Sequence, residues 1–207
     1  MLRLFSCLLL GLCLALFGNL PAGAQSRARA AAKLAGLDGK PLGTASFRTV
    51  NGGVLIELDL QGLPPGPHGM HLHVSGQCDA KSGFMKAGPI WSLNPKKRHG
   101  YLAKGGPLAG DLPNQVAHPD GRLKASTVTN AFTLGNGKRS IFDRDGVSLI
   151  IKKRGDDYRT QPIGNSGDRI ACGVVVRTQG PAARPRGKTN EPPRRVFPPK
   201  PAQNAKP

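Results

Sequence analysis

The dipeptide Asn51-Gly52 sits between two runs that alternate apolar and polar residues, one over 43–50 and the other from Val54 to Leu60. Alternation with period two places every second side chain on one face of a strand. Asn-Gly between two such runs is the strongest short-range signal for a tight hairpin. The chain is therefore committed to antiparallel pairing early, and its later segments agree. Further short apolar runs lie at 122–128, 147–153 and 169–176, separated by turns rich in glycine, proline and asparagine. The alanine-rich stretch from Arg27 to Gly36 reads as a helix in isolation. With the turn material Leu37 to Pro41 behind it and strands on every side, it is expected to be a first strand. No convincing helix is left, so the fold class is all-β, a sandwich or a barrel.

Three of the five histidines, His68, His71 and His73, fall within six positions of one another in the stretch from Gly66 to Cys78. Met70 and Leu72 alternate with His71 and His73, which predicts a strand carrying both imidazoles on one face. Two imidazoles held side by side make half of a transition-metal site. A Gly- and Pro-punctuated segment over 75–119 then loses all periodicity while carrying Cys78, Trp91 and His99. Its length predicts an ordered functional loop. A second irregular loop is expected over 154–168, and His118 is expected in an exposed hairpin turn.

The chain ends read differently from its middle. A basic start at Arg3, an apolar run over 4–20 and the small residues Ala22-Gly23-Ala24 have the form of a cleavable signal peptide over 1–24. A secreted or periplasmic location is expected on that ground. Cleavage would remove Cys7 and Cys13 and leave Cys78 and Cys172, a pair that an oxidising compartment would join as a disulfide. The folded domain is expected over 25–176. Residues 177–207 hold eight prolines, eight Lys or Arg and one acid, so they cannot bury a core and read as a basic extended tail. The formal net charge of +18 attracts anions of many kinds. Aromatic residues make up only 5% and do not interleave with the basic ones, so no nucleic acid partner is expected. An anionic envelope component, met by the tail, is the expected alternative.

Four motifs together resemble the copper/zinc superoxide dismutase family, in particular its bacterial periplasmic members. They are Gly62-Leu63-Pro64 with Gly66-Pro67-His68-Gly69-Met70-His71-Leu72-His73, Ala109-Gly110-Asp111-Leu112-Pro113-Asn114, Gly155-Asp156-Asp157-Tyr158, and Gly167-Asp168-Arg169-Ile170-Ala171-Cys172-Gly173-Val174. The resemblance implies a Greek-key β-barrel with two long loops, a Cys78–Cys172 disulfide, often a homodimer, and superoxide as substrate. It also implies copper held by four histidines, one of them shared with zinc, and zinc completed by two more histidines and an aspartate.

Carried over residue by residue, His71 and His73 match copper ligands, and His99 and Asp111 match zinc ligands. The bridging position is Ser92 counted back from Asn94-Pro95, or Ile90 counted forward from Gly88. A third zinc ligand would fall at Leu108 and the last copper ligand at Lys152. Ser92, Leu108 and Lys152 thus stand as substituted ligand positions, and an ammonium opposes a metal cation instead of coordinating it. Arg169 matches the arginine that guides the anion, with pairing to Asp156 or Asp157 as its structural alternative. Asp156 matches the carboxylate linking the two metal sites behind their ligands. His68 matches a structural histidine, and His99 and Asp111, deprived of partners, are expected to be ordinary loop residues. These substitutions predict residual copper binding, no zinc, and weak or absent dismutation. An active dismutase using an unidentified third copper ligand and a non-catalytic cationic envelope-binding module are the alternatives.

Overall fold

The computed structural model describes residues 29–143 and 145–178. The signal peptide assigned to 1–24 lies outside the described residues, as does the tail beyond Thr178. The alanine-rich stretch is strand β1 (Arg29–Gly36), and its burial alternates so that Ala30, Ala32 and Leu34 face the core. It pairs with β2 (Pro41–Val50), which pairs with β3 (Gly53–Leu60) around the two-residue turn Asn51-Gly52. Gly52 takes a φ of +88° there, a conformation for which glycine is the ordinary choice. Val54, Ile56, Leu58 and Leu60 all point inward from β3, as the alternation predicts.

The remaining strands are β4 (Gly66–His73), β5 (Asp111–Ala117), β6 (Leu123–Thr129), β7 (Ser148–Lys152), β8 (Arg169–Val174) and β9 (Val176–Thr178). They form one antiparallel sheet in the order β5-β4-β7-β8-β1-β2-β3-β6, with β9 against β1. The end strands β5 and β6 approach each other, so the sheet curls into a nearly closed barrel. The jump from β3 to β4 and the return from β6 to β7 give the Greek-key connectivity. Two short 3₁₀ turns, Ala80–Ser82 and Met85–Ala87, are the only helical pieces among the described residues.

Two expectations change. The irregular segment ends at Gly110, because β5 occupies Asp111–Ala117. Pro113 conceals that strand in the sequence, since proline cannot donate to a ladder; β5 is the end strand of the sheet path, where the missing N–H is tolerated. The barrel also runs past residue 176. Arg177 and Thr178, assigned to the tail, lie in β9, and the Arg177 guanidinium stacks 4.0 Å above the Phe142 ring while donating to the Leu134 carbonyl.

Besides the two long loops, observed over 74–110 and 153–168, the 130–147 connection buries Phe132, Leu134 and Ile141 in the core. Trp91 packs edge-on against Phe132, tying the first loop to this plug. Cys78 and Cys172 are joined as a disulfide that fastens the first loop to β8. β4 is consequently buried on both faces: Met70 and Leu72 enter the core, and His68, His71 and His73 lie under the loops.

Candidate metal centre

His71 and His73 project from the same face of β4, with ring centroids 6.2 Å apart. The His71 Nε2–H donates to Asp156 Oδ2 at 2.8 Å. The His73 Nδ1–H donates to the Gly88 carbonyl at 2.7 Å, an acceptor that leaves no choice of tautomer. The opposite nitrogens, His71 Nδ1 and His73 Nε2, are buried and have no hydrogen-bond partner among the described residues. Burial pushes the His71 pKa down against the pull of Asp156. The His73 pKa falls to about 3, through burial first and then the repulsion of Arg169 and other cations. Each ring is therefore neutral near pH 7 and exposes one unspent lone pair, which is the state a metal ligand requires.

His99 behaves in the opposite way. Its Nδ1–H donates to Asp111 Oδ1 at 2.7 Å and its Nε2–H to Asp156 Oδ1 at 3.2 Å, with the ring edge-on to His71. Burial opposes the charged form, but the hydrogen bonds and charges of Asp111 and Asp156 outweigh it and raise the pKa to about 9. His99 is an imidazolium clamped between two buried carboxylates. Asp111 Oδ2 is also engaged, accepting from the Gly100 and Leu108 backbone N–H groups. The expectation that His99 and Asp111 are ordinary loop residues fails: both are buried and joined through Asp156 to His71. His71, His99 and Asp111 form a group whose potential ligand atoms lie within 4.8 Å of one another, although His99 and Asp111 already bind each other.

Asp156 is the node. Burial disfavours its charge, yet hydrogen bonds from His71, His99 and the Tyr158 N–H hold its carboxyl well below the usual range. The Asn114 side chain grips its backbone twice, Nδ2–H to the Asp156 carbonyl and Oδ1 from the Asp156 N–H, each at 2.8 Å. Asn114 lies in a motif recognised in the sequence, but nothing local there predicts this cross-loop clamp. Gly164, at a φ of +63°, lets the second loop close over the node, because a β-carbon there would collide with Asp156 Oδ1. Gly164→Ala is expected to lower stability by about 2 kcal/mol, from the left-handed backbone and the displaced carboxylate together. Thermal unfolding of the two proteins side by side checks it.

Of the positions carried over as substituted ligands, Ile90, Leu108 and Lys152 line one cleft with His73, and Ser92 does not. Ile90, not Ser92, is the residue beside His73: the two form an isolated bridge, and Ile90 lines the cleft over the site. Ser92 instead turns its hydroxyl back onto Asn94, donating to the Asn94 carbonyl. The forward count from Gly88 and the backward count from Asn94-Pro95 differ by two residues, and the bridge to His73 selects the forward one. Leu108 and Lys152 also line the cleft. Lys152 is only 2% exposed. Burial, then Arg169, lowers its pKa to about 8.

Arg169 pairs with neither Asp156 nor Asp157; its guanidinium donates to the Phe84 and Gly88 carbonyls, both at 2.7 Å, and borders the cleft. Both ring nitrogens of His68 lie against carbonyl oxygens, those of Lys152 and Pro64, so the ring is engaged on both sides and serves structure. His118 is exposed in its turn, as expected.

Residues 42–175 match the family model for copper/zinc superoxide dismutase (SODC). The chain belongs to the copper/zinc superoxide dismutase family. It is 38% identical over 150 residues to superoxide dismutase (Cu-Zn) 2 of Aquifex aeolicus, covering 71% of this chain and 86% of the relative. A superoxide dismutase-like protein from Bacillus subtilis of solved structure is similar at 33% identity and a TM-score of 0.65, covering 70% of this chain and 97% of that one. The Cu/Zn superoxide dismutase from Brucella abortus is similar at 28% identity and a TM-score of 0.57, with 70% and 98% covered. Family membership brings copper and zinc binding, and superoxide as substrate, into consideration for the buried cluster.

Proposed function

We propose that this protein is an exported family member whose metal centre is reduced to a two-imidazole copper site, with weak or no superoxide dismutation. The observation that carries this reading is the pair of buried, unpartnered nitrogens His71 Nδ1 and His73 Nε2, set beside Ile90 and Lys152. Copper held there would supply one-electron chemistry toward superoxide. Asp156 and the Gly88 carbonyl fix the two tautomers, so both lone pairs stay available without rearrangement. Two neutral donors suit Cu(I), which accepts low coordination numbers, better than Cu(II), which prefers a tetragonal set. The Lys152 ammonium strengthens that bias, because its repulsion grows with the charge of the metal. A dismutase must pass repeatedly between both states, and a site that favours one of them works against turnover.

Zinc fits poorly. His99 and Asp111 could give zinc two donors, but Ile90 and Leu108 bring none, so the set falls short of the four that a closed zinc site uses. Export is supported by the Cys78–Cys172 disulfide, since such bonds persist in oxidising compartments.

Copper titration of the metal-free protein with a competing chelator, in both oxidation states, tests the reading. One equivalent is expected to bind, Cu(I) more tightly than Cu(II), with superoxide consumption near background. The His71→Ala/His73→Ala double variant should bind none. Turnover approaching the diffusional range of about 10⁸ M⁻¹s⁻¹ would overturn the catalytic half of the proposal, and no bound copper would overturn the metal half.

A further inference from the structure

A cleft of about 700 Å³ opens in front of His73, and its walls are not those of a channel for a small hydrated anion. Leu37, Met85, Ile90, Leu108, Pro162 and Ile163 line it, so the larger part of its surface is apolar. Leu37 and Met85 are 47% and 63% exposed, an apolar rim that a lone water-filled channel would not need. Two cations border the same space. Arg169 spends one N–H from each terminal nitrogen on the Phe84 and Gly88 carbonyls and keeps further N–H groups. Lys152 is buried, lines the cleft, and has no side-chain hydrogen-bond or ion-pair partner among the described residues. Its nitrogen is not among the buried unpartnered atoms, so the ammonium opens onto the cleft and is free to meet a ligand there. Among the described residues one acid lies on the wall, Asp168, which is largely exposed and faces Lys153 Nζ at 3.7 Å.

An apolar cavity of this size with a few convergent polar groups is the usual form of a small-molecule site. We propose that the cleft binds an organic monocarboxylate with an apolar body, its carboxylate on Lys152 and Arg169 and its chain along the Met85, Ile90 and Leu108 walls. Two cations against one acid favour a single negative charge on the ligand, and the apolar rim favours a chain over an inorganic anion. The inference rests on the cleft alone and not on the copper reading, so it is tested on protein freed of metal.

The probes are butyrate, octanoate and decanoate, measured by isothermal titration calorimetry below their micelle concentrations, with decylamine as a control of opposite charge. Affinity for the carboxylates should rise with length by up to about fourfold per methylene, the value of burying one CH₂, with one ligand per chain. Lys152→Met should weaken decanoate binding by about tenfold or more, the loss of one charge-assisted hydrogen bond. Met85→Asp, at a position exposed enough to leave the fold intact, should weaken decanoate far more than butyrate. Affinity independent of chain length would overturn the proposal, as would decylamine binding as tightly as decanoate. Unchanged decanoate binding in Lys152→Met would overturn it as well.

Discussion

His99→Gln is expected to lose about 3–5 kcal/mol of stability near neutral pH, the range found when one partner of a buried ion pair is removed. The histidine holds two buried carboxylates, Asp111 and Asp156, and glutamine cannot supply their countercharge. The pH dependence distinguishes a charge effect from loss of packing. The folded His99 pKa is about 9 against an ordinary 6.5, so the folded protein retains a proton that the unfolded chain releases. The associated stability is fully present below pH 6.5 and disappears as pH rises through 9, an amount of about 3 kcal/mol. The difference between wild type and variant, followed by urea denaturation at pH 6, 8 and 10, should shrink across that window. A difference that stays constant with pH would mean the imidazolium is not what binds the cluster together.

Lys152→Met is expected to act in the other direction and stabilise the protein by about 1–2 kcal/mol at pH 7, the pKa difference reduced by solvent screening at the cleft. Here the folded pKa, about 8, lies below the ordinary 10.5, so between those values the unfolded chain carries more protons than the folded one. Wild-type stability from this group therefore rises as pH climbs from 8 to 10.5, while the variant has no such rise. The advantage of the variant is full below pH 8 and vanishes above 10.5. Methionine matches the length of the lysine stem and needs no partner in an apolar cleft. A variant no more stable than wild type at pH 7 would show that the ammonium is well solvated where it lies. A natural chain that keeps a destabilising cation in a cleft has the pattern of a residue retained for binding, in line with the stability given up at functional positions generally.

Much of the barrel was legible because its signals are local. Asn51-Gly52 fixes a hairpin by turn chemistry, and the alternation of Val54 to Leu60 shows which face is buried. The pairing of His71 with His73 follows from strand geometry alone. Pro113 hid β5, because the property that lets it sit there, an edge position in the sheet, is set by pairing far away in sequence. The link from His71 through Asp156 to His99 and Asp111 joins three segments separated by dozens of residues, and only the closed loops reveal it. Ile90 and Ser92 both satisfied a spacing rule, one counted forward and one back, and only the bridge to His73 selects the side chain that reaches the cleft. Lys152 was recognisable as a poor ligand, but its burial and lack of a partner belong to the packing of β7 under the second loop.

The pairing of β9 with β1 has a geometric consequence for how the molecule can be displayed. Arg29 lies opposite Thr178, so the segments on either side of the barrel both join it at one place. The cleft begins at Leu37, beyond the far end of β1. Eight residues of strand at about 3.3 Å each put roughly 25 Å between the two. A label, support or surface attached at Arg29 or Thr178 would thus hold the barrel by one pole and leave the mouth of the cleft at the other, open to the surrounding fluid.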